Sequence, residues 1–234
     1  MTKYQVQRHQ IIESALTNFN ADFFCTHQIA FGGGTRIALE LDEYRESTDI
    51  DFFCPNPQAY RAVRETITNL QLNNLVKTEF TYLREIRADR YAVRTVIQQS
   101  GENIKLEFIN FTGYQLSIDN DKAKFPMPFL DRTSCFYTKL LANCDRKFTE
   151  PYKDIFDLLA MYKAWGNIPH DSIVLAEQIY GEKTVLPSLK GALLDLLKHP
   201  QKYLSAAQNI QMKAQWADDL IHRQAAKLLQ ELNL

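Results

Sequence analysis

Phe31-Gly-Gly-Gly-Thr35, followed ten residues on by Arg45-Glu-Ser-Thr-Asp49-Ile-Asp51-Phe-Phe53, is the stretch that decides the fold. Three of the chain's eight glycines stand together in it. The segment Gln28–Phe31 reads as a short strand entering them, and Thr35–Leu41 follows as a helix. Glycines at such a junction let the backbone approach a ligand closely, and the helix start offers unpaired N–H groups to a phosphate. The spacing matches neither G-x-x-x-x-G-K-[ST] nor G-x-G-x-x-G, so it supports neither a P-loop nor a dinucleotide fingerprint.

The acidic pair further along sharpens the chemistry. Thr48–Cys54 reads as a strand ended by Pro55-Asn56-Pro57. On a strand Asp49 and Asp51 project from one face while Ile50 and Phe52 project from the other. Two like charges on an apolar strand are costly unless a cation neutralises them. Mg²⁺ suits such a pair, because it binds through one or two carboxylates together with substrate phosphates. An exposed edge strand with two solvated acids is the alternative. A two-metal arrangement needs a third acid, and Glu107, in the largely apolar run Ile104–Phe111, is the candidate. A hairpin neighbour or an exposed strand face would also account for Glu107. Asp119 and Asp121 are further options in a polar, turn-like segment.

Outward from this centre, Met1–Leu16 has the spacing of a surface helix, and Ala59–Leu72 suggests another. Val76–Leu83, Tyr91–Gln98 and Asn103–Phe111 are β-rich. The last two runs flank Gln99-Ser100-Gly101-Glu102, a hairpin-turn composition that extends the sheet in antiparallel fashion. Beyond Pro126 and Pro128 the periodicity becomes helical, over Thr133–Arg146, Glu150–Trp165, Asp171–Ile179, Pro187–Lys198 and Lys213–Leu232. Thr149 is positioned to cap the second of these helices, with Pro151 in its first turn. The expected fold class is therefore α+β: an α/β domain over residues 1–125 with a mixed or antiparallel sheet, then a helical domain over residues 126–234. Lys124–Asp131 is the expected joint.

Composition sets the outer bounds. With 234 residues, 45% of them apolar, the chain is long enough for a real core and is not a disordered polymer. A net charge of −1 leaves nucleic-acid binding to a local patch. Arg132, Lys139 and Arg146 recur seven apart on one prospective helix face, and Arg84, Arg87, Arg90 and Arg94 form a second basic cluster diluted by Glu85 and Asp89. Four scattered cysteines without a C-x-x-C pair suggest reduced thiols. The polar N-terminus is unlike a signal peptide, and no apolar run approaches ~18 residues. A cytoplasmic protein with no membrane partner is expected.

Gly33-Gly34-Thr35, Arg45-x-Ser47 and Asp49-Ile50-Asp51 resemble the glycine-pair and D-x-D motif of the DNA polymerase β-like nucleotidyltransferases. More narrowly, they resemble the AbiEii/AbiGii toxin-type nucleotidyltransferases. The likeness continues through Lys139, Arg146 and Lys153-Asp154-Ile-Phe-Asp157-Leu, and covers roughly residues 25 to 165. Gly32, a third glycine before the usual pair, departs from the pattern. The resemblance implies a polymerase β-like palm followed by a helical domain. It implies that Asp49 and Asp51 ligate metal, the third carboxylate remaining the candidate Glu107, and that Gly33, Gly34, Thr35 and Ser47 cradle a triphosphate. Lys139 and Asp154 would complete the catalytic set, Lys139 contacting the nucleotide. Two Mg²⁺ ions and an NTP substrate are expected, with a tRNA 3′ end as acceptor and an antitoxin encoded elsewhere. A small-molecule hydroxyl as acceptor, or a binding protein that kept the fold without catalysis, are the alternatives.

Overall fold

Apolar residues at helical spacing near the N-terminus build two short helices, α1 (Gln7–Asn18) and α2 (Ala21–His27), in the computed structural model, which describes residues 2–232. The helix expected over Met1–Leu16 thus starts later, at Gln7, and Met1 lies outside the described residues. α2 is short and capped: the Asn20 side chain accepts from the Phe23 N–H at 3.2 Å. After it come β1 (Ala30–Gly32), α3 (Gly33–Glu40), β2 (Asp49–Cys54) and α4 (Pro57–Thr66). Asn56 caps α4 by accepting from the Ala59 N–H at 2.8 Å, with Pro57 in the first turn. α4 stops at Thr66 rather than Leu72, because Ile67 turns extended and the Thr68 hydroxyl accepts from the N–H groups of Leu70 and Gln71. That side-chain turn competes with the helix for the same donors.

The remaining strands are β3 (Thr81–Tyr82), β4 (Arg87–Ala88), β5 (Ala92–Gln99), β6 (Glu102–Asn110), β7 (Ile118–Asp119) and β8 (Phe129–Leu130). They complete one mixed sheet in the order β3-β5-β6-β2-β1-β8-β7, with β4 also paired to β5. β5 and β6 form the expected hairpin, turned by Ser100 at φ 50° and Gly101 at φ 83°. Two consecutive positive φ values match the twist of the flanking strands. β2 lies antiparallel to β1 and parallel to β6. On one face Ile50 is opposite Leu106 and Phe52 opposite Phe108, all four fully buried. The Phe52 and Phe108 rings stack at 5.1 Å, and Phe19 and Phe24 meet Phe52 edge-on at 4.8 Å each. Each such ring pair contributes about 1 kcal/mol beyond its buried area. This aromatic knot holds α1 and α2 on that face.

These elements, up to Glu40 and again from Ser47 to Asp131, form one unit. Leu41–Glu46 and the residues from Arg132 onward form a second. The latter is helical: α5 (Arg132–Arg146), α6 (Lys153–Trp165), α7 (His170–Tyr180), α8 (Val185–Lys198), α9 (Pro200–Asn209), α10 (Ala214–Asp219) and α11 (Ala225–Glu231). A five-residue π-helical turn, Leu220–Gln224, joins the last two and breaks the expected run Lys213–Leu232. α6 begins at Lys153, after Tyr152 in left-handed conformation. Thr149 therefore does not cap it; its N–H donates to the Arg146 carbonyl, and its carbonyl accepts from the Tyr152 N–H in a separate turn. Ile155–Tyr162 of α6 is buried throughout, which makes it the central helix of this unit. Among the described residues no helix is long and apolar enough to cross a membrane. The four cysteines are free, Cys54 and Cys135 buried.

Candidate active site

In the first unit the glycines and the aspartates meet. Gly33 opens α3 at φ 71°, a conformation that side chains other than glycine rarely adopt. A Cβ placed there would stand 2.1 Å from Oδ2 of Asp51. The missing side chain is thus the space the Asp51 carboxylate occupies, beside the first turn of α3. Gly32 has another reason to be glycine: a Cβ there would lie 2.6 Å from the Phe53 ring and 2.7 Å from Leu130. The extra glycine is a packing requirement, while the next one shapes the site. Gly34 is the second residue of α3.

Thr35 and Ser47, expected at the triphosphate, are both buried. The Thr35 hydroxyl donates to the Asp49 carbonyl, so the Ser47 hydroxyl donates to Thr35 across 2.7 Å. The Ser47 N–H in turn donates to Nε2 of the fully buried His9 at 3.0 Å. Nε2 accepts, so the proton of a neutral ring sits on Nδ1. These bonds tie the start of α3 to the start of β2. They fix where Asp49 and Asp51 project. Nothing in the sequence pattern singled out His9.

The carboxylates line up by register. Asp49 and Asp51 are half-buried on the sheet face opposite Ile50 and Phe52. Glu107 is directly across from Asp51 on β6 and shares its face. Yet both its oxygens are engaged: Arg94 Nε donates at 2.7 Å and Lys105 Nζ at 2.5 Å. Among the described residues, no three His, Cys, Asp or Glu side chains are gathered to hold one metal ion. The expected trio is thus adjacent in register but not assembled, because two cations hold the third acid. Asp49 and Asp51 alone fit a divalent ion of the Mg²⁺ kind, which needs only one or two carboxylates when phosphates supply the rest. Asp119 lies on β7, separated from β2 by β8 and β1.

Lys139 and Asp154 lie in the second unit, within a closed ionic network. Lys139, 7% exposed, donates from Nζ to Asp154 at 2.9 Å and to Asp157 at 2.6 Å. Arg146 binds Asp154 at 2.6 Å. Arg45 binds both oxygens of the fully buried Asp157, at 2.8 and 3.1 Å, and the Tyr44 hydroxyl donates to the same carboxylate. Burial opposes ionisation of Asp154, but Lys139 and Arg146 outweigh it and hold the carboxyl well below the usual range. Asp157 is likewise lowered against its burial by Arg45 and Lys139. Burial would depress Lys139, and the two aspartates raise it instead. Burial, with Asp157 as its neighbour, pushes the Tyr44 hydroxyl well up, so it stays a neutral donor. Asp157, Arg45 and Tyr44 were not among the expected site residues; the i, i+3 spacing of Asp154 and Asp157 was the available signal.

A nucleotidyltransferase site accounts for the glycine-lodged aspartate, the D-x-D strand and the helix start facing it, and comparison with known proteins agrees. A family model described as the nucleotidyl transferase AbiEii toxin of type IV toxin–antitoxin systems matches residues 14–231. Among solved structures, a Helicobacter pylori protein assigned as a nucleotidyltransferase superposes with a TM-score of 0.59 at 17% identity, covering 100% of this chain and 98% of that one. JHP933, also from Helicobacter pylori, gives 0.51 at 14% identity, covering 99% and 97%. At such identities the likeness is one of fold. No curated protein matches the chain. The family match spans nearly the whole sequence, and the chain belongs to the AbiEii family of nucleotidyltransferase toxins.

Proposed function

We propose that this nucleotidyltransferase moves an NMP from an NTP to a hydroxyl at a tRNA 3′ end, with Asp49 and Asp51 holding Mg²⁺, and that this transfer arrests growth. The observation that carries the proposal is the Asp51 carboxylate set into the space left by Gly33, at the start of α3. There the first N–H groups of α3 receive phosphate oxygens, beside the carboxylate that Gly33 leaves room for. Thr35, Ser47 and His9 keep that turn rigid, so little reorganisation accompanies binding. When bound, Mg²⁺ supplies charge neutralisation at the phosphates. The acceptor oxygen attacks the α-phosphorus, its bond to pyrophosphate breaks, and a nearby carboxylate takes the hydroxyl proton. Glu107, one strand from Asp51, is suited to that role once its cations move aside. The family is the toxin half of a two-component system, which implies a nucleotide substrate and a cognate antitoxin.

The test is incubation with each labelled NTP, Mg²⁺ and total tRNA, beside Asp51→Asn. Label should enter tRNA 3′ ends and fall about a hundredfold or more in the variant. Label entering a small hydroxyl compound instead would replace the acceptor. Full activity in Asp51→Asn would remove the site assignment.

A further inference from the structure

One charged row of the sheet extends past the carboxylates. Asp51 is opposite Glu107, Glu107 opposite Arg94, and Arg94 opposite Arg87, so four adjacent strands carry these side chains on one face. The row is acidic at one end and basic at the other. Its basic end opens into a groove of about 1030 Å³ lined by Arg84, Arg87, Arg94 and Lys105, against only Glu85 and Asp89. Arg84 and Arg87 are exposed and take no ion-pair partner among the described residues. The Thr95 hydroxyl fixes the Arg84 backbone by donating to its carbonyl at 2.8 Å. Arg94 and Lys105, in contrast, spend their charge on Glu107, and Arg94 also on Asp89 at 2.9 Å.

We propose that this groove binds a run of phosphate groups, and that its occupant draws Arg94 and Lys105 off Glu107 and frees that carboxylate beside Asp51. This rests on the assignment of Asp49 and Asp51 to a metal. Phosphates offer the two cations several anionic oxygens where Glu107 offers two. The exchange takes place in a solvent-open groove, where water reaches the Arg94 and Lys105 side chains and screens their pairing with Glu107. Glu107 would then join the metal-binding face only with the groove filled, which couples occupancy to a complete site. The phosphates could be those of a polynucleotide backbone or of a free polyphosphate chain.

Two measurements on the full chain test this. In EDTA, a labelled single-stranded RNA twelve-mer and inorganic tripolyphosphate are titrated separately. Binding of at least one should weaken about tenfold in Arg84→Gln/Arg87→Gln. If the RNA is the tighter ligand, the salt slope should also drop by about one per arginine removed. Whichever probe binds names the source, and binding of neither, or binding indifferent to both arginines, overturns the proposal. Separately, Mn²⁺ affinity is followed by the free-ion paramagnetic signal. Arg94→Gln/Lys105→Gln should bind Mn²⁺ several-fold tighter than the unaltered chain, and adding Glu107→Gln should abolish that gain. A gain that survives Glu107→Gln is a bare field effect and overturns the release of Glu107. If Asp51→Asn leaves Mn²⁺ binding unchanged, the metal assignment fails, while binding in EDTA still decides the groove. All substituted side chains but Glu107 and Asp51 are exposed, and thermal melts check folding.

Discussion

At the scale of single residues, Gly33 bears the sharpest demand. Its φ of 71° and the 2.1 Å between a hypothetical Cβ and Asp51 Oδ2 act together. Gly33→Ala should cost about 1–2 kcal/mol from the backbone alone, and it must also push Asp51 aside. The expected outcome is a folded protein, with a melting temperature lowered by several degrees, that has lost nucleotidyl transfer. Wild-type transfer in that variant would show that Asp51 does not act from this position. The aspartates and glycines were legible in the sequence because their relations are local: i and i+2 on a strand, and a turn beside a helix. Glu107 was legible as an isolated acid, with Lys105 two positions before it on the same strand face, but not its grip by Arg94. That depends on which residues register opposite one another across the β5–β6 hairpin. The hydroxyl chain from Thr35 through Ser47 to His9 was out of reach, since it joins residues 12 and 38 positions apart.

At the scale of elements, the segment Leu41–Glu46 and helix α6 are one structural statement. Six residues between α3 and β2 belong to the helical unit because Arg45 reaches Asp157, 112 positions away, with both side chains inaccessible to water. No local pattern in the sequence could assign this segment, whereas the helices themselves followed from their periodicity. Removing one charge from a buried pair leaves the other without compensation, at a cost of about 3–5 kcal/mol. Asp157→Asn should therefore destabilise the second unit by that order in urea or thermal unfolding. Arg146→Gln should cost about 1 kcal/mol or less, because its side chain is 58% exposed and Lys139 still neutralises Asp154. Equal losses from the two substitutions would show that burial of the Arg45–Asp157 pair is not what sets its weight.

At the scale of the whole molecule, the net charge of −1 averages over groups with opposed environments. The helical unit confines Arg45, Lys139 and Arg146 with Asp154 and Asp157, and these pairings make its stability depend on pH in a definite direction. Folding lowers the carboxyl pKa of Asp154 and Asp157. Their contribution is fully present above the unfolded carboxylate range, about pH 4, and is lost as pH falls through the lower folded values. Folding raises Tyr44, so its contribution holds below about pH 10 and is lost above that as the phenol ionises. The stability gap between the unaltered chain and Asp154→Asn should therefore be full above about pH 5 and narrow steadily as pH falls to 2, because the unfolded carboxyl takes up its proton over that range while the folded one still resists it. Tyr44→Phe should be less stable at neutral pH, for want of its bond to Asp157, yet lose less than the parent between about pH 10 and 11. Melting temperatures of the three proteins across pH 2–11 would read both limbs. An Asp154→Asn gap that stays constant down to pH 2 would mean the carboxylate is not held ionised by Lys139 and Arg146.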